Sequence, residues 1–142
     1  MTAQEKKTIL LEFLEELRKG KAATVNEVCA ENFGFHSPRY PGWPRGLEGA
    51  RQLAAAVVEH PDYVDRHSKI DDVFAVDDKV VLRFSVFGTY VGEERPGAPK
   101  KGERFASAAI AIYRFVDRKI VDDWGVQERS VTAAPWDRTA GK

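Results

Sequence analysis

The sequence predicts an α+β fold in which three helices precede a four-stranded antiparallel sheet, and two observations support this. Up to about residue 59, apolar residues recur at intervals of three and four positions, which is typical of amphipathic helices. Beyond Pro61, β-branched and aromatic residues predominate and turn signals separate the runs. This second pattern is typical of strands joined as a meander.

The first helix is predicted over residues 3–19. Thr2 and Glu5 have the spacing of a capping box, in which the two residues satisfy each other's free backbone N–H groups. Apolar residues then recur at helical intervals until Gly20, a residue that commonly ends a helix.

A second, shorter helix is predicted to run from Thr24 to about Asn32. Thr24 and Glu27 repeat the capping-box spacing just before apolar residues. Residues 33–36 then form a short extended piece that ends at His36.

Residues 37–46 contain three prolines and two glycines, which exclude a regular helix or a central strand. We expect an aromatic loop here. Tyr40 and Trp43 either join His36 at the mouth of a pocket or only cap the open end of the core. The third helix is predicted over residues 47–59, where apolar residues again follow one helical face.

Four strands follow, joined by Asp77-Asp78, a long loop and Asp117-Arg118, and we expect antiparallel neighbours. On the second strand, residues 79–90, both faces are largely apolar. We therefore expect one face to pack on the helices and the other to be buried against something else. A second subunit is the simplest candidate, which predicts a homodimer through the outer face of the sheet. The strands are predicted over residues 63–76, 79–90, 103–116 and 119–128.

The charge balance restricts the class of partner. The 142 residues include 22 Lys plus Arg and 22 Asp plus Glu, which gives zero formal charge. This balance argues against nonspecific binding to nucleic acid or to an anionic membrane. The longest apolar runs have six residues, whereas a membrane-spanning helix needs about 20. We expect one domain over residues 1–128 and a tail over residues 129–142.

The location is predicted to be cytoplasmic. The first residues mix acids and bases among apolar positions and lack the separate blocks of a secretory signal. Cys29 is the single cysteine, so it cannot form an internal disulfide, and its apolar neighbours suit a small buried side chain.

Several kinds of site are excluded by their missing motifs. The chain has no HExxH, CxxC, GxSxG or GxGxxG pattern, so nothing indicates a nucleotide cofactor. Its histidines, His36, His60 and His67, lack metal-ligand spacing. We therefore predict neither a metal nor a cofactor.

Asp122 and Asp123 interrupt an otherwise apolar strand, and one of them must face inward. If Asp117-Arg118 is a two-residue turn, Asp123 lies opposite Ile112. If the hairpin has a three-residue loop with a bulge, Asp123 lies opposite Ala111. The sequence alone leaves this register open.

The second register places small residues beside Asp123, because Ser107, Ala109, Ala111, Gly125 and Gln127 then share its face. Small side chains leave a cavity, and an apolar cavity raises the pKa of a carboxyl group toward the range that suits acid/base catalysis.

Asp123 is therefore the catalytic candidate, with Asp122 as the fallback. The alternative is that one of these acids only pairs with Arg83 or Arg114. Arg83 could instead bind a substrate oxyanion or extend to solvent at an edge.

A set of short segments and residues along the whole chain forms a recognisable pattern. It consists of the runs 78–89, 112–114 and 119–124, Gly92 and Lys101-Gly102, and the first helix, His36 and Pro61-Asp62. In this pattern the sequence resembles the SnoaL-like polyketide cyclase (ester cyclase) group of the nuclear-transport-factor-2-like superfamily. The resemblance implies a cone of three helices wrapped by a curved, mixed or antiparallel sheet, with an internal pocket and a dimer through the sheet's outer face.

The resemblance also implies that Asp123 projects into the pocket, where an acid moves a proton from carbon to a new alkoxide in an intramolecular aldol closure. The chain departs from many relatives in having Tyr90 in place of a histidine, Ala111 in place of an acid, and Asp123 in place of the commoner histidine. With Asp123 as acid/base, His36 and Arg83 are the other catalytic candidates. The substrate-binding candidates are Tyr40, Trp43, Tyr90, Ser107, Trp124 and Gln127.

The hypothesis is a cofactor-independent cyclase or isomerase acting on a small, mostly apolar carbonyl compound. The first alternative is a binding or accessory protein with the same pocket, and epoxide hydrolysis is a third. Catalysis requires a cavity of roughly 300 Å³ or more that holds Asp123 near a second polar group.

Overall fold

The computed structural model of the chain describes residues 1–58, 61–128 and 131–132. Helices pack against one face of an open, curved, mixed sheet, which confirms the predicted α+β class. The tail beyond residue 128 lies outside the described residues except for residues 131–132, so the division into a domain and a tail stays a prediction. The end of the third predicted helix and His60 also lie outside them.

Helix α1 spans Ala3–Arg18 and begins with the predicted capping box. The Glu5 backbone N–H donates to Thr2 Oγ1 at 3.1 Å, and the Thr2 N–H donates to Glu5 Oε2 at 2.8 Å. Leu10, Phe13 and Leu17 form its buried stripe. The apolar residues that recur with helical period therefore form the face of α1 that contacts the sheet.

The prediction of a second helix up to Asn32 is wrong. A 3-10 turn over Ala22–Thr24 leads into α2, which spans only Val25–Val28, and Thr24 makes no side-chain cap. Strand β1 then runs over Cys29–His36. It pairs in parallel with the last long strand of the sheet, and pairing between segments this far apart in sequence overrides a weak local helical preference.

Helix α3 spans Gly46–Val58, and the predicted aromatic loop is attached to its first turns. The Trp43 indole N–H donates to the Gly49 carbonyl oxygen at 3.0 Å. A Cβ atom on Gly49 would lie 1.8 Å from the Pro44 carbonyl oxygen, so only glycine allows this approach.

The four predicted strands are present, with bounds that differ by one residue at two ends. Consecutive strands pair antiparallel, as predicted. The strand order is β1-β5-β4-β3-β2, and β6 pairs with the start of β4 at Phe105 and Ala106. The strands are β2 Tyr63–Val76, β3 Lys79–Tyr90, β4 Arg104–Val116, β5 Lys119–Gln127 and β6 Val131–Thr132.

Both expected registers of the last hairpin are wrong. Asp117 and Arg118 form the two-residue turn, each with positive φ, and Val116 pairs with Lys119. A bulge then leaves Val121 without a cross-strand partner, so that Asp123 lies opposite Tyr113. This shift keeps the same alternation as the second expected register, and Asp123 still shares a face with Ala111 and Gly125.

The two faces of the sheet have different surroundings. The inner face packs on the helices through side chains such as Leu82, Ala111 and Ile120. The outer face carries exposed apolar side chains, which include Ile110 at 44%, Trp124 at 37% and Val126 at 64% exposure. Among the helices of the described ranges, none has the length and apolar character needed to span a membrane.

Candidate functional site

A cavity of about 930 Å³ lies between the helices and the inner face of the sheet. Its walls are mainly apolar and come from every long element, through side chains such as Phe13, Leu53, Phe84 and Ile120. Ala109, Ala111 and Gly125 line it as well, and these small residues leave the sheet side open. This volume exceeds the roughly 300 Å³ that the catalytic hypothesis requires, and it lies in the usual range of ligand pockets.

Asp123 lies at this cavity and is 7% exposed. Its Oδ1 atom is buried without a hydrogen-bond partner in the described part of the chain. Burial raises the pKa of this carboxyl to about 7, because the apolar surroundings disfavour the charged form. Asp123 is thus a carboxyl group that can exchange a proton near neutral pH.

Tyr113 and Cys29 line the same cavity, and the field of Asp123 acts on both groups. Burial, and secondarily the Asp123 charge, raises the pKa of Tyr113 well above its ordinary value. The same two causes raise the pKa of Cys29 to about 12. Both groups therefore keep their protons at neutral pH, so the Tyr113 hydroxyl can donate a hydrogen bond.

The aromatic loop forms another wall of the cavity. Tyr40 and Trp43 both line it and pack on each other and on Phe35, with ring centroids 5.4 to 6.4 Å apart. Phe35 is the β1 partner of Asp123. Tyr40 and Trp43 are thus two of the predicted binding residues that the structure places at the cavity.

Asp122 lies on the other face of β5 and carries the arginine partner that the sequence predicts for one of the two acids. Arg114 Nε donates to its Oδ2 at 2.7 Å, and its Oδ1 lies 2.8 Å from His36 Nε2. Burial alone would raise the pKa of Asp122, but the hydrogen bonds with His36 and Arg114 hold it below its ordinary value. Asp122 therefore stays ionised and is not available for proton transfer.

His36 and Trp124 do not reach the cavity, contrary to the prediction. They are partners across the parallel pair of β1 and β5, and their rings stack with centroids 5.2 Å apart on the outer face. The reason is strand alternation, because Phe35 occupies the inward position beside Asp123 and its neighbour must point outward.

Arg83 is likewise on the outer face, exposed, opposite Ile110 and 4.0 Å from Asp71. The neighbouring Leu82 and Phe84 take the inward positions of β3. The prediction of Arg83 as a cavity residue is therefore wrong.

Tyr90 and Ser107 are buried but lie outside the cavity lining. The Tyr90 hydroxyl donates to the Glu93 carbonyl oxygen at 2.5 Å. Ser107 Oγ donates to the Glu128 carbonyl oxygen at 2.8 Å and accepts from Gln127 Nε2 at 3.2 Å. Both side chains fix the backbone near the cavity, whereas Gln127 itself lines it.

Two kinds of cavity residue were missed from the sequence. Tyr113 could have been found, because it continues the alternation of Ala109 and Ala111 on β4. Arg39, Arg66 and Arg95 also line the cavity, but they come from loops and a bulged strand whose side-chain directions the sequence does not give.

No metal-binding cluster of three or more His, Cys, Asp or Glu side chains is found in residues 1–58 and 61–128.

Comparisons with known proteins show the family. The sequence profile of SnoaL-like polyketide cyclases matches residues 8–134. None of the curated proteins matches the chain.

Two solved structures share the fold at low sequence identity. TsrD from Streptomyces laurentii is 22% identical, with a TM-score of 0.71 over 90% of this chain and 91% of that one. A SnoaL-like polyketide cyclase from Agrobacterium tumefaciens is 19% identical, with a TM-score of 0.72 over 91% of this chain and 94% of that one. At this identity the two structures show the fold alone. The profile match covers most of the sequence, and the chain therefore belongs to the SnoaL-like polyketide cyclase family.

Proposed function

We propose that the protein is a cofactor-independent enzyme of the cyclase or isomerase type that acts on a small, mostly apolar carbonyl compound. One observation carries the proposal, namely that the Asp123 carboxyl is buried at an apolar cavity with a pKa raised to about 7. A catalytic acid/base works best when its pKa lies near the working pH. Membership of a cyclase family supports the same reaction class.

In the proposed reaction, ionised Asp123 removes a proton from a carbon next to a carbonyl group. The resulting enolate carbon attacks a second carbonyl carbon of the same substrate and forms the new C–C bond. The attacked oxygen becomes an alkoxide and takes the proton back from Asp123. Atoms and charges balance without an added reactant, and the folded cavity contributes chiefly by holding the two carbons together.

Tyr113 supplies the second polar group in this proposal. It lies directly across the strand pair from Asp123, and such neighbours have Cβ atoms about 5 Å apart. Its protonated hydroxyl can donate to the carbonyl oxygen and so stabilise the developing enolate. Tyr113 thereby replaces the polar candidates predicted from the sequence, namely His36, Tyr90 and Arg83.

A non-catalytic binding protein is the second candidate, and one observation favours it. Five of the predicted site residues lie outside the cavity lining, which is mainly apolar. They are His36, Arg83, Tyr90, Ser107 and Trp124. In this case Asp123 would only recognise a hydrogen-bond donor on a bound ligand.

The test uses nitrobenzisoxazole, an apolar carbon acid whose C–H proton is removed by a base as its N–O bond breaks and a coloured phenolate forms. We expect turnover by the wild-type protein and a loss of about 100-fold or more in Asp123→Asn. Asp122→Asn is the matched control and should keep turnover. Ligand binding without turnover by the wild type, or equal turnover in Asp123→Asn, would support the binding protein.

We further propose a homodimer through the outer face of the sheet. Ile110 pairs with Val126 there, and Trp124 pairs with Ile112 in the adjacent outward-facing row. Ile110, Trp124 and Val126 are exposed, and burying such side chains is favourable. A cytoplasmic location also stays a prediction.

A further inference from the structure

Arg66 is an arginine turned toward the cavity by a bulge in β2. Asp65 has a positive φ of 54°, and Asp65 and Arg66 together oppose the single residue Gly88 of β3. A bulge of this kind re-aims the side chains that follow it. The Arg66 side chain consequently lines the cavity and is half-buried.

The Arg66 guanidinium is held by the last turn of α3 but keeps free donors. Its Nη1 donates to the carbonyl oxygens of Ala56 at 3.2 Å and Val57 at 3.3 Å. A guanidinium has five N–H donors, and those on Nε and Nη2 have no acceptor within the described part of the chain. Burial lowers the pKa of Arg66 relative to its ordinary value, since the charged form is desolvated. An anion beside it would offset that cost.

Two other arginines line the cavity. Arg39 lies over the Tyr40 ring, with its Cζ atom 5.9 Å from the ring centroid, and Arg95 lies 3.6 Å from Asp62. Among the described lining residues, the acids are Asp123 and Glu128, and Glu128 accepts from the Ala108 backbone N–H at 3.0 Å. Positive side chains therefore outnumber negative ones among the described residues that line the cavity.

Arg66 and Asp123 lie toward opposite ends of the sheet. Arg66 is in the row of Gly88, whereas Asp123 is in the row of Tyr113 and Val80. These rows are eight positions apart on β3, which is roughly 26 Å along an extended strand and less across a curved sheet. A ligand that contacts both ends must be elongated.

We propose that the ligand of this cavity is an elongated amphiphile with an anionic end group, a carboxylate or a phosphate, that Arg66 binds. Its apolar body then extends along the small-residue face toward Asp123. This inference rests on the proposed function only in taking the cavity as the ligand site, since the anion would bind in the same way to a non-catalytic protein. Arg66 is thus a specificity-determining residue, because its planar donors match a carboxylate or phosphate group.

The experiment compares the binding of dodecanoate, dodecyl phosphate and dodecan-1-ol by calorimetry at pH 8. We expect at least one anion to bind the wild-type protein ten times or more tighter than the alcohol, with a preference that falls as NaCl is raised. If dodecanoate binds tighter than dodecyl phosphate, the natural end group is a carboxylate, and the reverse order indicates a phosphate.

Two variants with the same charge change separate the site from a general charge effect. Arg66→Gln should lose the preference for the anion over the alcohol, whereas Arg18→Gln on the exposed side of α1 should keep it. Arg66→Lys, which retains the charge, should keep part of it. Equal wild-type affinity for alcohol and anions would overturn the proposal, and so would a preference unchanged in folded Arg66→Gln. The same titrations in Asp123→Asn should give the wild-type preference, so loss of turnover in that variant leaves this test unaffected.

Discussion

Asp122 and Asp123 are neighbours on β5, and their carboxyl groups lie on opposite faces of the sheet with pKa values shifted in opposite directions. Asp122 is hydrogen-bonded to Arg114 and His36, which lowers its pKa below the ordinary value despite burial. Burial without such partners raises the pKa of Asp123 to about 7. The opposite signs give opposite dependences of stability on pH.

Asp123→Asn should increase stability at neutral pH. In the folded state the Asp123 pKa is about 7, compared with 3.8 for the ordinary carboxyl, so the folded protein holds the extra proton between these values. The protonated Asp123 carboxyl therefore contributes fully to the free energy of unfolding below pH 3.8. This contribution is lost as pH rises toward 7, and the loss amounts to up to about 4 kcal/mol. Urea unfolding of both proteins from pH 4 to 8 should therefore show a difference that grows with pH. A constant difference would contradict the raised pKa.

Asp122→Asn should show the reverse trend. The ionised Asp122 contributes stability above pH 3.8, and the contribution is lost as pH falls through its lowered folded-state pKa. We expect the variant to lose about 1–3 kcal/mol at pH 7, because Arg114 and His36 lose a charged acceptor. The loss should shrink below pH 4 in the same urea series, and a loss that persists there would indicate a packing effect.

Tyr113→Phe should lower the turnover of nitrobenzisoxazole while keeping the fold. A hydrogen bond to a developing negative charge contributes about 1.5–3 kcal/mol, so the loss should be about ten- to a hundredfold. Tyr63→Phe, which alters another tyrosine of the cavity lining, is the matched control. Steady-state rates measure both, and an unchanged rate in Tyr113→Phe would remove this residue from the mechanism.

Gly49→Ala should destabilise the protein by more than about 2 kcal/mol, because the new Cβ atom would meet the Pro44 carbonyl oxygen at 1.8 Å. Gly42→Ala in the same loop has nothing within 4 Å of the new atom and should be nearly neutral. Thermal unfolding compares the two variants, and equal melting temperatures would show that the loop shifts without cost.

Val126→Glu should convert the proposed dimer to a monomer. The valine is 64% exposed on the outer face of the single chain, and a charge there would be buried in the dimer without a partner. Thr8→Glu on the exposed side of α1 adds the same charge elsewhere and should leave the dimer intact. Light scattering during size-exclusion chromatography gives the masses, and a monomeric wild-type protein would refute the proposal.

The fold could be predicted from the sequence wherever the signal is local. Helix α1 and the four long strands follow from capping and alternation within each segment. Strand β1 could not, because its parallel pairing with β5 joins Cys29 to Ile120, far away in the chain. Part of the candidate site was predictable from local patterns as well. The small residues on β4 and β5 indicated the cavity, and Asp123 lines it as predicted. The positions of His36 and Arg66 depend on pairings and bulges that single segments do not show.

The unpaired Val121 has a consequence for how this site can change. If the same residues paired without the bulge, Val121 would lie opposite Arg114, and Asp122 would lie opposite Tyr113 and enter the cavity. Asp123 would then lie opposite Ile112 on the outer face. Which of the two identical side chains is a proton carrier and which is a structural anchor is decided by backbone spacing and not by residue type. A one-residue shift in the pairing of this strand can therefore exchange the roles of the two acids without replacing either of them.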